Sequence, residues 1–308
     1  MTGSSYVSSS GQPTPERSAR PPMTVHIRGL SEIAQRYDAF ILDLWGCLHD
    51  GIVVYPAALE ALRRLHSAGK RTIILSNAPR RAHEVVTRIA DMGIGPKLYD
   101  RLYTSGEETW RALSLNNIDA LRGRSRRIYP IMAERDQAML AGLNAIPVDD
   151  PAKADFILVT GTETGREDIA EFDPLLAPAV ASGVPLVCAN PDLVVHRGGV
   201  EEICAGSIAQ RYEMLGGHVI WFGKPYPAIY RSILEECRLS PDRLLCVGDA
   251  LRTDVAGGAG IGAATLFTVG GIHHQELLVK NQIHLARLKA LCRKLGATPD
   301  FAIAHLGW

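Results

Sequence analysis

The chain has 308 residues, of which 46% are hydrophobic, and its 33 basic side chains balance 33 acidic ones to a formal net charge of zero. At ~150 residues per domain, this length predicts about two domains with a sizeable buried core. The balanced charge argues against attraction of the whole molecule to nucleic acid or to an anionic membrane. No apolar run reaches the ~18 residues that a transmembrane helix needs. We therefore expect neither a nucleic-acid nor a membrane partner.

Six cysteines are scattered along the chain, and no two of them form a C-x-x-C pair. This pattern is typical of free thiols in a reducing compartment, so we expect a cytoplasmic protein. Residues 1–23 are rich in Ser, Pro and Gly and poor in aliphatic side chains, which predicts a disordered tail. The tail lacks the apolar stretch of a secretory signal. Its Ser and Arg content also fits a transit peptide, but its prolines disfavour an amphipathic targeting helix.

From residue 24 onward, short apolar strands alternate with amphipathic helices, which predicts an α/β fold with mostly parallel strands. In the first half the predicted strands cover 39–44, 71–76 and 102–104, and the predicted helices cover 56–70 and 79–92. In the second half strands are predicted over 127–131, 156–160, 185–188, 219–222, 244–247 and 264–269, with helices such as 227–237 and 283–295 between them.

Polar side chains follow four of these apolar strands, at the strand end where parallel α/β sheets bind ligands. An isolated residue of each type has an ordinary explanation, because Asp and Ser favour turns and caps and Lys is usually solvated. The ordered set, with each member after its own strand, indicates a site instead. Its members are Asp43, the pair Ser76 and Asn77, Lys224, and the pair Asp249 and Asp254.

The side chains of this set suit phosphate chemistry. Carboxylates are ligands that Mg²⁺ prefers, together with water and phosphate. Lysine and a serine hydroxyl suit the oxygens of a phosphate group, and an Asp carboxylate can attack phosphorus to form an aspartyl-phosphate. A G-x-G-x-x-A match at 258–263 precedes a strand, so it does not fit a dinucleotide fingerprint, and Gly223-Lys224-Pro225 does not fit a phosphate-binding P-loop.

The four segments resemble, in order, the four motifs of the haloacid dehalogenase superfamily of aspartate-nucleophile hydrolases. The resemblance implies a Rossmann-like, doubly wound parallel-sheet core. It also implies a role for each matched residue: Asp43 as nucleophile, Ser76 and Lys224 as phosphate ligands with Asn77 orienting, and Asp43, Asp249, Asp254 and the Trp45 carbonyl around Mg²⁺.

The 147 residues between Ser76 and Lys224 exceed what one βαβ crossover needs. This spacing resembles the class IIA branch, in which an α/β cap domain is inserted between motifs two and three. The implied core is discontinuous, at 24–107 and 220–308, and the implied cap covers 108–219. The implied substrate is a small phosphorylated metabolite, and cap-mediated dimers in similar proteins make a homodimer a further expectation.

The loop at 190–199 corresponds to the cap loop that faces the core site in similar proteins, so His196 and Arg197 are candidate substrate contacts. The basic run at 122–127 has two interpretations: a solvated turn, which charge runs usually form, or recognition of an anionic substrate tail.

Trp45 departs from the family pattern, because phosphatases of this type usually carry a second Asp there that protonates the leaving oxygen. Three alternatives remain open. The substrates have leaving groups that need no protonation; another group, such as His49 or Asp50, substitutes; or turnover is weakened. We therefore predict a Mg²⁺-dependent phosphatase of a small metabolite, with a catalytically weakened phosphometabolite-binding or regulatory protein on the same scaffold as the competing hypothesis. Nucleophilic hydrolysis of a different bond is a third one.

Overall fold

The computed structural model describes residues 24–198 and 200–308, so the predicted disordered tail at 1–23 lies outside the described residues. In these ranges the strands are β1 (Val25–His26), β2 (Ala39–Leu42), β3 (Arg71–Ser76), β4 (Arg101–Thr104), β5 (Arg127–Ile131), β6 (Ile146–Pro147), β7 (Phe156–Val159), β8 (Leu186–Cys188), β9 (Val194–Arg197), β10 (Val200–Ile203), β11 (Val219–Trp221), β12 (Leu244–Gly248), β13 (Ala264–Thr268), β14 (Leu278–Val279), β15 (Gln282–Ile283) and β16 (Phe301–Ile303). The α-helices are α1 (Pro56–Ser67), α2 (Ala82–Asp91), α3 (Ser105–Ser114), α4 (Asp173–Ala181), α5 (Ala205–Met214), α6 (Pro227–Cys237), α7 (Ala256–Gly260), α8 (His274–Leu277) and α9 (Leu285–Leu295).

Seven strands form a large sheet in the order β1-β16-β13-β12-β2-β3-β4, and every neighbouring pair is parallel. Side chains of β2 alternate between the two faces, as the two-residue period of a strand requires. Phe40 and Leu42 pack in one cluster with Leu62 of α1, whereas Ala39 and Ile41 pack on the other face with α6. Helices therefore cover both faces, and the predicted doubly wound α/β fold is confirmed.

The sheet order places β12 at the centre of this sheet and β2 beside it, between β12 and β3. Because β3 and β12 lie on opposite sides of β2, the connections that leave β2 and β12 open a crevice at their carboxyl ends. Ligands of open α/β sheets bind in such a crevice. The sheet order thus directs attention to the residues that follow β2 and β12.

A second parallel sheet, in the order β11-β8-β7-β5-β6, lies in the chain between β4 and β12. Its two faces are buried separately: Ile157 of β7 packs with α4 and α5, and Leu158 of β7 packs with α3. An antiparallel ribbon of β9 and β10 follows β8. The second sheet ends with β11 at Trp221, and the domain boundaries at 108–219 stay a prediction.

Element ends differ from the sequence prediction where local hydrogen bonds intervene. The helix predicted from residue 79 begins at Ala82, because the Glu84 side chain accepts a bond from the Arg81 amide at 3.2 Å and caps the helix there. A π-helical turn, Leu251–Val255, precedes α7 directly. The described part of the chain contains no helix with the length and apolar character needed to cross a bilayer.

Replacement of the buried Leu62 by alanine tests the packing of α1 on the large sheet. Leu62 is 1% exposed, so we expect Leu62→Ala to lower the free energy of unfolding by about 2–5 kcal/mol, through lost burial and a cavity. Urea unfolding followed by circular dichroism measures the change. The matched control is Leu115→Ala, because Leu115 is 71% exposed and its loss should change stability by less than about 0.5 kcal/mol. Equal losses in the two variants would contradict this packing.

Candidate active site

A buried ion-pair network lies at the carboxyl end of the large sheet. Asp43 follows β2, Asp254 lies in the turn after β12, and Lys224 lies between β11 and α6. The Lys224 Nζ atom donates to Asp43 Oδ1 at 2.6 Å and to Asp254 Oδ1 at 2.7 Å. The three residues are 3–7% exposed. A single ammonium group therefore joins two carboxylates from separate parts of the chain.

Asp249 joins these residues, and carboxylate oxygens of Asp43, Asp249 and Asp254 lie within 4.8 Å of one another. Burial raises the pKa of Asp43 to about 7, although Lys224 opposes the shift. Burial and the neighbouring Asp43 and Asp254 carboxylates raise the pKa of Asp249 well above its usual value. Burial alone would lower the pKa of Lys224, but the Asp254 and Asp43 carboxylates hold it well above its ordinary value.

Three clustered carboxylates with one ammonium group form a fitting site for a hard divalent cation. Mg²⁺ takes oxygen ligands in small number and retains water or phosphate on its other positions. The raised pKa values of Asp43 and Asp249 result from burial and from the repulsion among the carboxylates. A bound cation would offset both effects. The donor atoms present therefore fit Mg²⁺.

Backbone amides hold the two acidic residues after β12 in position, and a glycine leaves room for one of them. The Ile272 amide donates to Asp249 Oδ2 at 2.7 Å, and the Ala250 amide donates to Asp254 Oδ2 at 3.1 Å. Gly46 has a φ of +72°, and a Cβ atom there would lie 1.9 Å from Asp249 Oδ2. The motif analysis of the sequence did not identify Gly46, although a glycine three residues after Asp43 could have indicated a close approach of the backbone to the site.

Asn77 connects the predicted phosphate-binding segment to Lys224 and to the loop after β8. Its Oδ1 accepts from the Lys224 amide at 2.8 Å, and its Nδ2 donates to the Lys224 carbonyl at 3.2 Å and to Asp192 Oδ1 at 2.9 Å. The buried Ser76 Oγ accepts from the Ala78 amide at 3.2 Å. Asp192 is a site residue to which the sequence analysis assigned no role. Burial raises its pKa, against the pull of Lys224.

Trp45 belongs to a turn structure that we call the flap, residues 45–54. In the flap, Trp45 and Val54 each form an isolated backbone β-bridge with His49. The Trp45 ring meets the His49 ring edge-on at a centroid distance of 5.1 Å. A Cβ atom at Gly51, which has a φ of +89°, would lie 2.2 Å from the Trp45 ring. The indole therefore packs inside the flap, against His49 and Gly51.

The two candidate acid–base residues take part in hydrogen bonds within the flap. His49 is buried, and its Nδ1 accepts from the Gly51 amide at 2.9 Å. Burial, and the positive charge of Arg88, lower the pKa of His49 to about 4, so its imidazole is neutral at pH 7. Asp50 Oδ1 accepts from the amides of Ile52 and Val53 at 2.9 and 2.8 Å.

His196 and Arg197 lie in β9, and both contact residues outside the ribbon of β9 and β10. The Arg197 guanidinium lies 5.2 Å from the Trp45 ring centroid, and its Nε pairs with Glu202 at 3.1 Å. The His196 ring meets the His274 ring edge-on at 6.1 Å. The ribbon of β9 and β10 thus covers the flap.

In the basic run at 122–127, Arg124 and Arg126 donate to the carbonyls of Asp155 and Leu143.

Comparison with known proteins identifies the family. A family model described as haloacid dehalogenase-like hydrolase matches residues 40–145, and a second one, HAD-hydrolase-like, matches residues 221–295. Chronophin of Bos taurus is 27% identical over 263 residues, which cover 80% of this chain and 86% of chronophin. The ribonucleotide monophosphatase NagD of Escherichia coli K12 is 27% identical over 238 residues, covering 75% and 87% of the two chains.

A solved structure gives the same result for the fold. The crystal structure of a hydrolase of the haloacid dehalogenase-like family from Brucella suis 1330 superposes with a TM-score of 0.78. It is 30% identical to this chain, and the match covers 91% of this chain and 99% of that one. The resemblance inferred from the four motifs is therefore confirmed: the chain belongs to the haloacid dehalogenase-like hydrolases, in the class IIA branch with chronophin and NagD.

Proposed function

We propose that the protein is a Mg²⁺-dependent phosphatase that hydrolyses a small phosphorylated metabolite through an aspartyl-phosphate on Asp43. The observation that carries this proposal is the buried network in which Lys224 joins Asp43 and Asp254, with Asp249 beside them. Related proteins named as phosphatases, such as NagD, support phosphoric monoester hydrolysis as the activity. The free cysteines, all buried, support a cytoplasmic location. The homodimer stays a prediction.

In this proposal Asp43, Asp249 and the Trp45 backbone carbonyl would hold Mg²⁺, and Asp254 would support them through its hydrogen bond to Lys224. Bound there, the cation would offset the repulsion between the carboxylates and an anionic phosphate. Lys224 has two roles, since its ammonium group orients Asp43 and also attracts the phosphate oxygens. Ser76 contributes a hydroxyl donor to the phosphate, and Asn77 holds the Lys224 backbone.

The reaction proceeds in two displacements on phosphorus. A carboxylate oxygen of Asp43 forms a bond to phosphorus while the bond to the leaving oxygen breaks. Water then attacks the aspartyl-phosphate, which releases phosphate and restores the Asp43 carboxylate. The second unit is the part of the chain that carries the second sheet and the ribbon of β9 and β10. We propose that this unit acts as a cap that excludes bulk water, since the ribbon covers the flap. We also propose that His196 and Arg197 contact the substrate from this ribbon.

The packing of Trp45 makes protonation of the leaving oxygen the weak point of this mechanism. General acid catalysis contributes about 10²–10⁴-fold, and an indole has no acidic proton to supply. His49 is neutral at pH 7, and Asp50 is bound to the amides of its own turn. We therefore favour substrates with leaving groups that need little protonation, such as aryl phosphates or acyl phosphates. The same observation supports the second candidate function, a phosphometabolite-binding protein with weakened turnover.

Replacement of the proposed nucleophile tests the first displacement. We expect Asp43→Asn to lower kcat for Mg²⁺-dependent release of phosphate from 4-nitrophenyl phosphate by about 10³-fold or more, because an amide cannot displace the leaving group. Asp38→Asn is the matched control: Asp38 lies just before β2 and pairs with Arg243 at the surface. Normal turnover by a folded Asp43→Asn variant would refute the nucleophile assignment.

Removal of divalent cations tests the metal assignment. Dialysis against a chelator should abolish phosphate release, and added Mg²⁺ should restore it. Asp249→Asn should raise the Mg²⁺ concentration needed for half-maximal activity at least about tenfold, since it removes a proposed charged ligand. Activity that persists after chelation, or an unchanged Mg²⁺ requirement in the variant, would contradict the assignment.

Introduction of the missing carboxylate tests the role of Trp45. We expect Trp45→Asp to raise hydrolysis of alkyl phosphates, by up to about 10²–10⁴-fold, with a smaller effect on aryl phosphates. Trp45→Phe is the control, because it changes the ring and adds no carboxyl group. A rate on alkyl phosphates that stays level or falls in a folded Trp45→Asp protein would show that the absent acid is not the limit.

A further inference from the structure

Two arginines, Arg88 and Arg197, contact the flap, and the positive charges of two more, Arg80 and Arg135, act on Arg88; we call the four the arginine cluster. Arg88 Nη2 donates to the Gly51 carbonyl at 3.2 Å, and Arg197 lies over the ring of Trp45, which packs on Gly51. Two guanidinium groups, one from α2 and one from β9, therefore approach the same part of the flap.

The other two arginines are connected through Asp136, which pairs with Arg80 and follows Arg135 in the chain. Arg80 Nε pairs with the buried Asp136 at 2.9 Å. Arg135, the residue before Asp136, donates to the carbonyls of Thr162 and Glu163. Burial, and then the positive charges of Arg80, Arg197 and Arg135, lower the pKa of Arg88.

The arginine cluster carries more positive than negative charge. Arg80 pairs with Asp136, Arg135 with Glu163 at 3.5 Å, and Arg197 with Glu202. Within the described part of the chain no carboxylate pairs with Arg88, which is exposed and donates to a neutral carbonyl. Guanidinium groups bind carboxylates and phosphates in a bidentate way, and Arg is suited to recognise such groups. One guanidinium of the cluster is thus free to bind an anion.

We propose that the arginine cluster binds a second anionic group of the substrate, a carboxylate or a second phosphate. This inference rests on the proposed function, because it assigns the far end of the molecule whose phosphate Asp43 attacks. The position is suitable: Trp45 lies two residues after Asp43, so the Cα atoms are at most about 7 Å apart, and Arg197 contacts the Trp45 ring. Arg80 and Arg88 belong to the part of the chain that carries the large sheet, whereas Arg135 and Arg197 belong to the second unit. An anion bound by the cluster would therefore connect these two parts.

Matched substrate pairs test the proposal. A short pair is 4-methylphenyl phosphate and 4-carboxyphenyl phosphate, and a long pair is 4-propylphenyl phosphate and 3-(4-phosphonooxyphenyl)propanoate; within each pair the second member replaces a methyl group by a carboxylate. We expect kcat/KM of the wild type to favour the charged member of at least one pair by about tenfold or more. Arg88→Met should reduce that preference at least fivefold, through a higher KM for the charged member. Arg287→Met is the matched control, since Arg287 is exposed and also donates to a carbonyl, that of Glu276.

Three results would overturn the proposal: no preference in either pair, an equal loss for both members in Arg88→Met, or the same loss in Arg287→Met. Stimulation of 4-methylphenyl phosphate hydrolysis by inorganic sulfate, without preference in either pair, would assign the cluster to a separate effector and would also contradict the proposal. Calorimetric titration of both pairs into Asp43→Asn, with and without Arg88→Met, measures binding without turnover. If Asp43→Asn shows the binding preference but the wild type releases no phosphate from any of these substrates, the anion subsite is retained and the proposed phosphatase activity is refuted.

Discussion

The ion pairs of Lys224 with Asp43 and Asp254 are the interaction on which the rest of the site depends. Three carboxylates and one ammonium group are buried together at the end of β2 and β12. Removal of one partner from a buried ion pair typically costs about 3–5 kcal/mol, because it leaves an uncompensated charge. Here the imbalance already exists, because three carboxylates face one ammonium group, and a divalent cation would correct it. The site is therefore arranged for ligands more than for stability.

The second constraint is the indole at position 45. An Asp there would add a fourth carboxylate to an already acidic cluster and would supply a proton to the leaving group. Trp45 instead fills the flap against Gly51 and presents its ring to Arg197. The substitution thus exchanges proton transfer for packing and for a contact with β9. This exchange explains why we expect the leaving group and the far end of the substrate, and not a protein acid, to determine which phosphates react.

Much of the site could be predicted from the sequence because its signals are local. Asp43, Ser76 and Asp249 directly follow apolar runs, and each run became a strand of the large sheet. The order of these strands could not be read from the sequence, since β12 pairs with β2 across most of the chain. For the same reason the bond between Asn77 and Asp192 was not foreseen: 115 positions separate the two residues. Contacts made by folding, such as those around Arg88, have no pattern in the linear chain.

A crystal structure of the protein with Mg²⁺ and fluoroberyllate, a mimic of the phosphoryl group, tests the central claim most directly. The account predicts that beryllium is bonded to a carboxylate oxygen of Asp43, with fluorine atoms in contact with Lys224 and Ser76. It also predicts that the cation is bound by Asp43, Asp249 and the Trp45 carbonyl. Fluoroberyllate bound away from Asp43, or a cation bound outside the carboxylate cluster, would contradict the account.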